Sequence, residues 1–208
     1  MSFWEDKKVL VTGAHGFVGN AVIKQLEAKN CKSIISPLRS EFNLTIEVEV
    51  ENLLSTSKPD VVVHLAGKVG GIGANRVAQG EFFYQNLMMG ALVLEKSRLH
   101  NVKKVVALAA GCGYPKNLEV PYKESDFWDS LPDENSVGYS MAKKMLIIQS
   151  WTYREQYGFD STILLPANLF GPYDNFNLES SHVVPALVRK IFEANLAGDS
   201  LVEVWGSG

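Results

Sequence analysis

Tyr139 and Lys143 stand four residues apart in Gly138-Tyr-Ser-Met-Ala-Lys143, a spacing that brings two side chains onto one face of a helix. A phenol beside an ammonium is suited to proton transfer. A free tyrosine titrates at about 10, too high for efficient acid–base work at neutral pH, and a neighbouring ammonium together with an oxidised nicotinamide lowers that value. Tyrosine and lysine are common on helix surfaces, so the pair gains its meaning from what precedes it. Thr12-Gly-Ala-His-Gly-Phe-Val-Gly19 follows an apolar run and opens a helical pattern. In that context Gly13, Gly16 and Gly19 form a tight turn, and the segment carrying His15, Phe17 and Val18 turns backbone N–H groups toward a pyrophosphate. The spacing is G-x-x-G-x-x-G rather than G-x-G-x-x-G. An NAD site would place an acid at the tip of the second strand, but here that strand runs out through Ser36-Pro-Leu-Arg39. Arg39 suits a 2′-phosphate, which favours NADP over NAD. Together these residues point to nicotinamide redox chemistry on a small molecule.

Strands and helices must alternate to hold such groups, and the hydrophobic pattern supplies them. Short apolar runs predict strands over Lys8–Thr12, Ser33–Ser36, Asp60–Ala66, Lys104–Ala110 and Ser161–Leu165. Helical spacing predicts helices over Phe17–Lys29, Glu47–Ser55, Glu81–His100 and Gly138–Tyr157, with another opening at His182. This alternation means βαβ units, hence an α/β fold: a Rossmann-type doubly wound parallel sheet with helices on both faces. Gly67–Gly73 reads as a glycine-rich turn, and Tyr114–Val137, with three of the eight prolines, as the one long irregular loop. We expect a cofactor-binding domain over residues 1–166 carrying the Tyr/Lys pair. Residues 167–208 would begin a substrate-binding region, most of whose lobe is missing from the chain; Val204-Trp-Gly-Ser-Gly208 reads as the start of a strand and turn.

Composition narrows the function classes. With 208 residues, 46% of them hydrophobic, the chain can bury the core of one α/β domain. The net charge is −3 and the 20 Lys and Arg are scattered, so there is no footprint for nucleic acid. No apolar run approaches the roughly 18 residues of a membrane span, and Met1-Ser-Phe-Trp-Glu-Asp lacks the features of a signal peptide. Cys31 and Cys112 match no metal spacing and read as reduced thiols of a cytoplasmic protein.

Beyond the short motifs, longer stretches stand out: Leu65-Ala-Gly-Lys-Val-Gly-Gly-Ile72, Cys112-Gly-Tyr-Pro115, Pro166-Ala-Asn-Leu-Phe-Gly-Pro-Tyr-Asp-Asn-Phe176 and Ser181-His-Val-Val-Pro-Ala-Leu187. With these, nearly the whole chain resembles the extended short-chain dehydrogenase/reductase family, and within it the NADPH-dependent enzymes that epimerise and reduce GDP-4-keto-6-deoxyhexoses. The resemblance implies that Cys112 and His182 are base and acid for epimerising the carbons flanking the ketone. Tyr139 would protonate the C4 oxygen as hydride arrives, with Lys143 tuning Tyr139 and binding the ribose. Leu65, Ala66, Pro166, Asn168 and His182 would join the cofactor site, and Asn168, Lys190 and Trp205 would meet the GDP-sugar. No metal is implied. The helices Glu81–His100 and Gly138–Tyr157, apolar around much of their circumference (Met88, Met89, Met145, Ile148), would pair across a two-fold axis in a homodimer.

One position departs from the pattern. The family carries Ser or Thr two residues before the cysteine, hydrogen-bonding the keto oxygen, whereas Ala110 stands there in this chain. Losing one such donor can cost roughly 10²–10³ in rate, and it weighs on reduction more than on epimerisation. Two rivals therefore stand beside the epimerase/reductase. A redox-neutral nucleotide-sugar epimerase needs only Cys112 and His182. A catalytically silent NADP-binding module would explain Ala110, but not the retention of Cys112, Tyr139, Lys143 and His182.

Overall fold

The computed structural model describes residues 2–178 and 180–204. The strands are β1 (Lys8–Thr12), β2 (Ser33–Ile35), β3 (Val61–His64), β4 (Lys104–Leu108) and β5 (Ser161–Leu164). They form one sheet in the order β2-β1-β3-β4-β5, with every neighbouring pair parallel. The helices are α1 (Phe17–Ala28), α2 (Glu47–Ser57), α3 (Ile72–Val77), α4 (Gln79–Leu99), α5 (Val137–Tyr157) and α6 (Val183–Ala197). None of them is long and apolar enough to cross a membrane.

The valine-rich runs of β1 and β3 are buried along both faces, as central parallel strands require. Alternation sorts them. Val9, Val11, Val61 and Val63 join Leu26 of α1 in one cluster. Leu10, Val62, Val105 and Ala107 face the other way, onto Val50 and Leu54 of α2, Val93 and Leu94 of α4 and Leu146 of α5. Each of these valine and leucine side chains contributes about 1.5–3 kcal/mol through burial. The chain leaves β1 toward β2 on one side and returns to β3 on the other, so the sheet's winding reverses at β1. In doubly wound sheets a ligand crevice lies above the strand ends at that point.

Both ends of the sheet are tied. At the upper end, the Thr12 hydroxyl lies 2.7 Å from His64 Nδ1 and accepts the Ala66 amide at 3.3 Å, joining β1 to β3. At the lower end, the Asp60 carboxylate accepts the Lys8 amide at 2.9 Å and Lys103 Nζ at 3.0 Å, linking the starts of β1, β3 and β4.

Two segments are more ordered than their composition suggests. The glycine-rich turn runs directly into α3, and α4 starts at Gln79 rather than Glu81. The expected irregular loop holds a 3-10 turn over Glu124–Trp128 and an antiparallel bridge between Pro115 and Pro132. It also plants Phe127 in the interior at 1% exposure. Val204 is the last described residue, so the expected turn containing Trp205 lies outside the described residues.

Candidate active site

The crevice begins at Gly13. Its φ of +72° suits glycine, and a Cβ there would sit 2.7 Å from the Ala66 amide nitrogen. Gly19 is equally constrained, since a Cβ would come within 2.1 Å of the Gly13 carbonyl oxygen. These two residues let β1, α1 and the end of β3 meet closely, and they place Leu65 and Ala66 at the mouth. Helix α1 opens at Gly16 with no side-chain cap and no acid in its first turn. Its first amides and the positive end of its dipole are left to an anion. Asn20 braces the turn from below, donating to the Gly16 carbonyl at 2.9 Å. His15 Nε2 lies 3.2 Å from the Ser36 carbonyl oxygen, which ties the glycine turn to the end of β2. Arg39 follows on the same rim and is exposed. A glycine cradle, an uncapped helix start and a basic rim fit a dinucleotide carrying an additional phosphate.

The second part of the site is built from α5 and the loop after β4. Lys143 is buried and donates to the Leu108 carbonyl at 3.0 Å. Burial lowers its pKa to about 8. A Cβ on Gly67 would lie 3.6 Å from its Nζ, so the loop after β3 passes directly beside the amine. Tyr139 shares the same helix face, its ring centroid 5.8 Å from that amine and in edge contact with Phe82. Burial, and then the negative charge available at Cys112, raise the Tyr139 pKa. The expected lowering by Lys143 is not found in this arrangement, where burial and the sulfur's charge both favour the neutral phenol. The protonated form it keeps is the one that can donate.

Cys112 lies in the 3-10 turn Gly111–Gly113 that follows β4. Desolvation raises its pKa, while a hydrogen bond from Ser140 and the charge of Lys143 oppose the rise. Cys112, Tyr139 and Lys143 therefore act on one another electrostatically, a grouping the motifs alone do not reveal. A Cβ on Gly111 would lie 3.2 Å from the Pro166 carbonyl oxygen, so the loop after β5 closes over the turn, and Pro166 belongs to this wall.

Several residues that hold the site carry no obvious sequence signal. Asn86, buried in α4, donates to the Lys68 carbonyl at 3.0 Å and accepts the Lys68 amide at 3.1 Å, fixing the loop beside Lys143. The Gln79 side chain accepts the Gly138 amide and donates to the Glu134 carbonyl, which sets where α5 begins and hence where Tyr139 points. Buried Lys144 donates to the carbonyls of Phe127 and Ser130. The Phe127 ring in turn fills the space a side chain on Gly113 would need. Such long-range partners are invisible to local spacing.

The remaining expected residues lie apart from this cluster. His182 is the exposed N-cap of α6. Among the described residues no hydrogen bond ties its imidazole to Cys112, Tyr139 or Lys143. Its segment is nonetheless anchored near the loop after β3, where the Gly71 amide donates to the Ser180 carbonyl at 3.2 Å. Asn168 is exposed on the loop after β5. Lys190 donates to the Glu203 carbonyl at 2.9 Å.

Comparison with known proteins matches residues 9–208 to the NAD dependent epimerase/dehydratase family. The chain is 39% identical over 208 residues to the GDP-L-fucose synthase of Sinorhizobium fredii (strain NBRC 101917 / NGR234), with 100% of this chain aligned to 66% of that protein. It is 35% identical over 202 residues to the GDP-L-fucose synthase of Escherichia coli (strain K12), 97% of this chain against 63% of that one. The chain thus spans just under two thirds of the length of these relatives. Among solved structures, a GDP-L-fucose synthetase from Naegleria fowleri bound to NADP superposes with a TM-score of 0.87 at 29% identity, over 96% of this chain and 61% of that one. A GDP-6-OMe-4-keto-L-xylo-heptose reductase from C. jejuni superposes with a TM-score of 0.89 at 30% identity, over 94% of this chain and 56% of that one.

Proposed function

The chain belongs to the NAD dependent epimerase/dehydratase family, and from that premise we propose that it is the catalytic part of a cytoplasmic, homodimeric, NADP-dependent GDP-sugar epimerase/reductase. The reaction is 3,5-epimerisation and C4 reduction of a GDP-4-keto-6-deoxyhexose to a GDP-6-deoxyhexose such as GDP-L-fucose. The observation that carries this reading is the grouping of Cys112, Tyr139 and Lys143 at the end of β4, on the same edge of the sheet as the glycine cradle. The GDP-sugar names of the relatives and of the structural neighbours support the substrate class.

In this reading Gly13, Gly16 and the first amides of α1 hold the pyrophosphate, His15 and Arg39 meet the 2′-phosphate, and Lys143 meets the nicotinamide ribose. Leu65, Ala66 and Pro166 wall the cofactor. When bound, the cofactor supplies a hydride. Cys112, as thiolate, takes a proton from a carbon flanking the ketone, the C–H electron pair passing to the ketone oxygen. His182 returns a proton to the opposite face, which inverts the centre, once the substrate and the region beginning at residue 167 bring it to the sugar with Asn168, Lys190 and Trp205. Tyr139 then donates its phenolic proton to the C4 oxygen, so hydride and proton together complete the alcohol.

Ala110 favours a second reading, a redox-neutral epimerase, because the oxyanion donor beside Tyr139 is missing. Proton NMR of a GDP-4-keto-6-deoxyhexose with the protein in D₂O separates the two. Deuterium wash-in beside the ketone followed by NADPH-dependent loss of the ketone is the expected result. Wash-in without reduction would leave the epimerase, and neither signal despite NADPH binding would overturn both.

A further inference from the structure

Ser140, next to Tyr139 in α5, is fully buried, yet its side chain reaches the loop after β4. Its Oγ lies 3.0 Å from the Cys112 carbonyl oxygen and 3.3 Å from Cys112 Sγ. A hydroxyl has one hydrogen to donate and oxygen lone pairs that accept, so it cannot serve both acceptors at once. While Cys112 is a thiol, the carbonyl is the better acceptor, and the S–H can point at the serine oxygen. Once Cys112 is a thiolate, the charged sulfur becomes the better acceptor and the hydroxyl turns to it. Ser136 Oγ, 3.5 Å away, is placed to donate to Ser140 after that turn.

We propose that Ser140 is a positioning residue for the epimerising base, holding the Cys112 sulfur and following it between thiol and thiolate. That role presupposes Cys112 as the base. A group that accepts a carbon-bound proton and is then reset passes through both states in every turnover, and a rotating hydroxyl gives each state a partner. The titratable groups coupled to the sulfur are Tyr139 and Lys143, both from α5. The loop after β5 and the Glu124–Trp128 turn reach the cysteine's neighbours through the Pro166 carbonyl and the Phe127 ring, so the nearest contacts from those elements are uncharged.

The test is the pH dependence of iodoacetamide alkylation of Cys112, read by peptide mass spectrometry with Cys31 as internal reference. Ser140→Ala should raise the midpoint by about one pH unit, the size expected when a thiolate loses a hydrogen bond. Ser140→Thr, which keeps a hydroxyl, should stay at the wild-type midpoint, and Cys31 should not move. Superimposed wild-type and Ala profiles overturn the proposal. A Thr profile shifted as far as that of Ala also overturns it, because the role would then be packing, and a shifted Thr profile alone does so if Ala fails to fold. The assay needs no substrate. A shift with no deuterium wash-in would leave the Ser140–Cys112 coupling standing while removing the GDP-sugar reading.

Discussion

At the scale of single residues, Ala110 separates the two halves of the chemistry. Its backbone is extended, with φ −148° and ψ 138°, so any side chain fits that conformation. Ala110→Ser supplies the hydroxyl of the family pattern and should raise the NADPH-dependent reduction rate by about 10² while leaving deuterium wash-in unchanged, as single-turnover kinetics and NMR would report. In the proposed reduction, Lys143 would set the upper pH limit. Burial lowers its pKa to about 8, so it is charged below that value and neutral above it. The reduction rate should therefore be level below about pH 8 and fall as pH rises through it, and a level profile to pH 10 would remove Lys143 from the step. Tyr139 and Lys143 were legible because a four-residue spacing is a local signal. Ser140 was not, since its significance lies in a contact with Cys112, 28 positions back along the chain.

At the scale of elements, strand ends do the positioning. Gly13→Ala places a Cβ against the backbone of Ala66 and Leu65 at a positive φ. It should cost about 2–4 kcal/mol in urea denaturation and weaken NADPH binding by fluorescence titration. At the opposite end of the sheet, the Lys8 amide first and Lys103 second hold the Asp60 carboxyl below its ordinary pKa. A depressed carboxylate stabilises the fold above its unfolded pKa and loses that contribution as pH falls. Asp60→Asn should cost about 1 kcal/mol at pH 7, and in parallel denaturation curves the difference should begin to shrink as pH falls through about 4 and be gone only below the depressed pKa. All five strands were legible because runs such as Val61-Val-Val are buried on both faces. The helix Ile72–Val77 was not, because it is short and follows directly on the glycine-rich stretch, which argues for a turn. The segment is held instead by tertiary contacts, with Gly71 bonded to Ser180 and a Cβ on Gly70 meeting Phe82 at 3.3 Å.

At the scale of the molecule, α4 and α5 run together, Gln149 donating to the Ala91 carbonyl at 3.0 Å and Leu146 packing over Gly90. Between them runs an outward groove lined by Phe83, Leu87, Met145 and Ile148. Sedimentation velocity at micromolar concentration should show a dimer, and Met145→Glu should give a monomer, since a charge desolvated in an apolar interface is costly. The overall architecture was readable from strand–helix alternation. The place of His182 was not, because it depends on how the segment after β5 lies over the sheet. The joint between Thr12 and His64 reaches beyond packing. The Thr12 oxygen accepts the Ala66 amide and lies 2.7 Å from His64 Nδ1, so one hydroxyl joins the ends of both strands. Burial holds the His64 pKa at about 3. This imidazole therefore stays neutral at physiological acidity, and the joint between β1 and β3 carries no charge that changes with pH there. An effect of acidity on how tightly a dinucleotide sits therefore originates with Lys143 and Cys112, or in the dinucleotide's own phosphates.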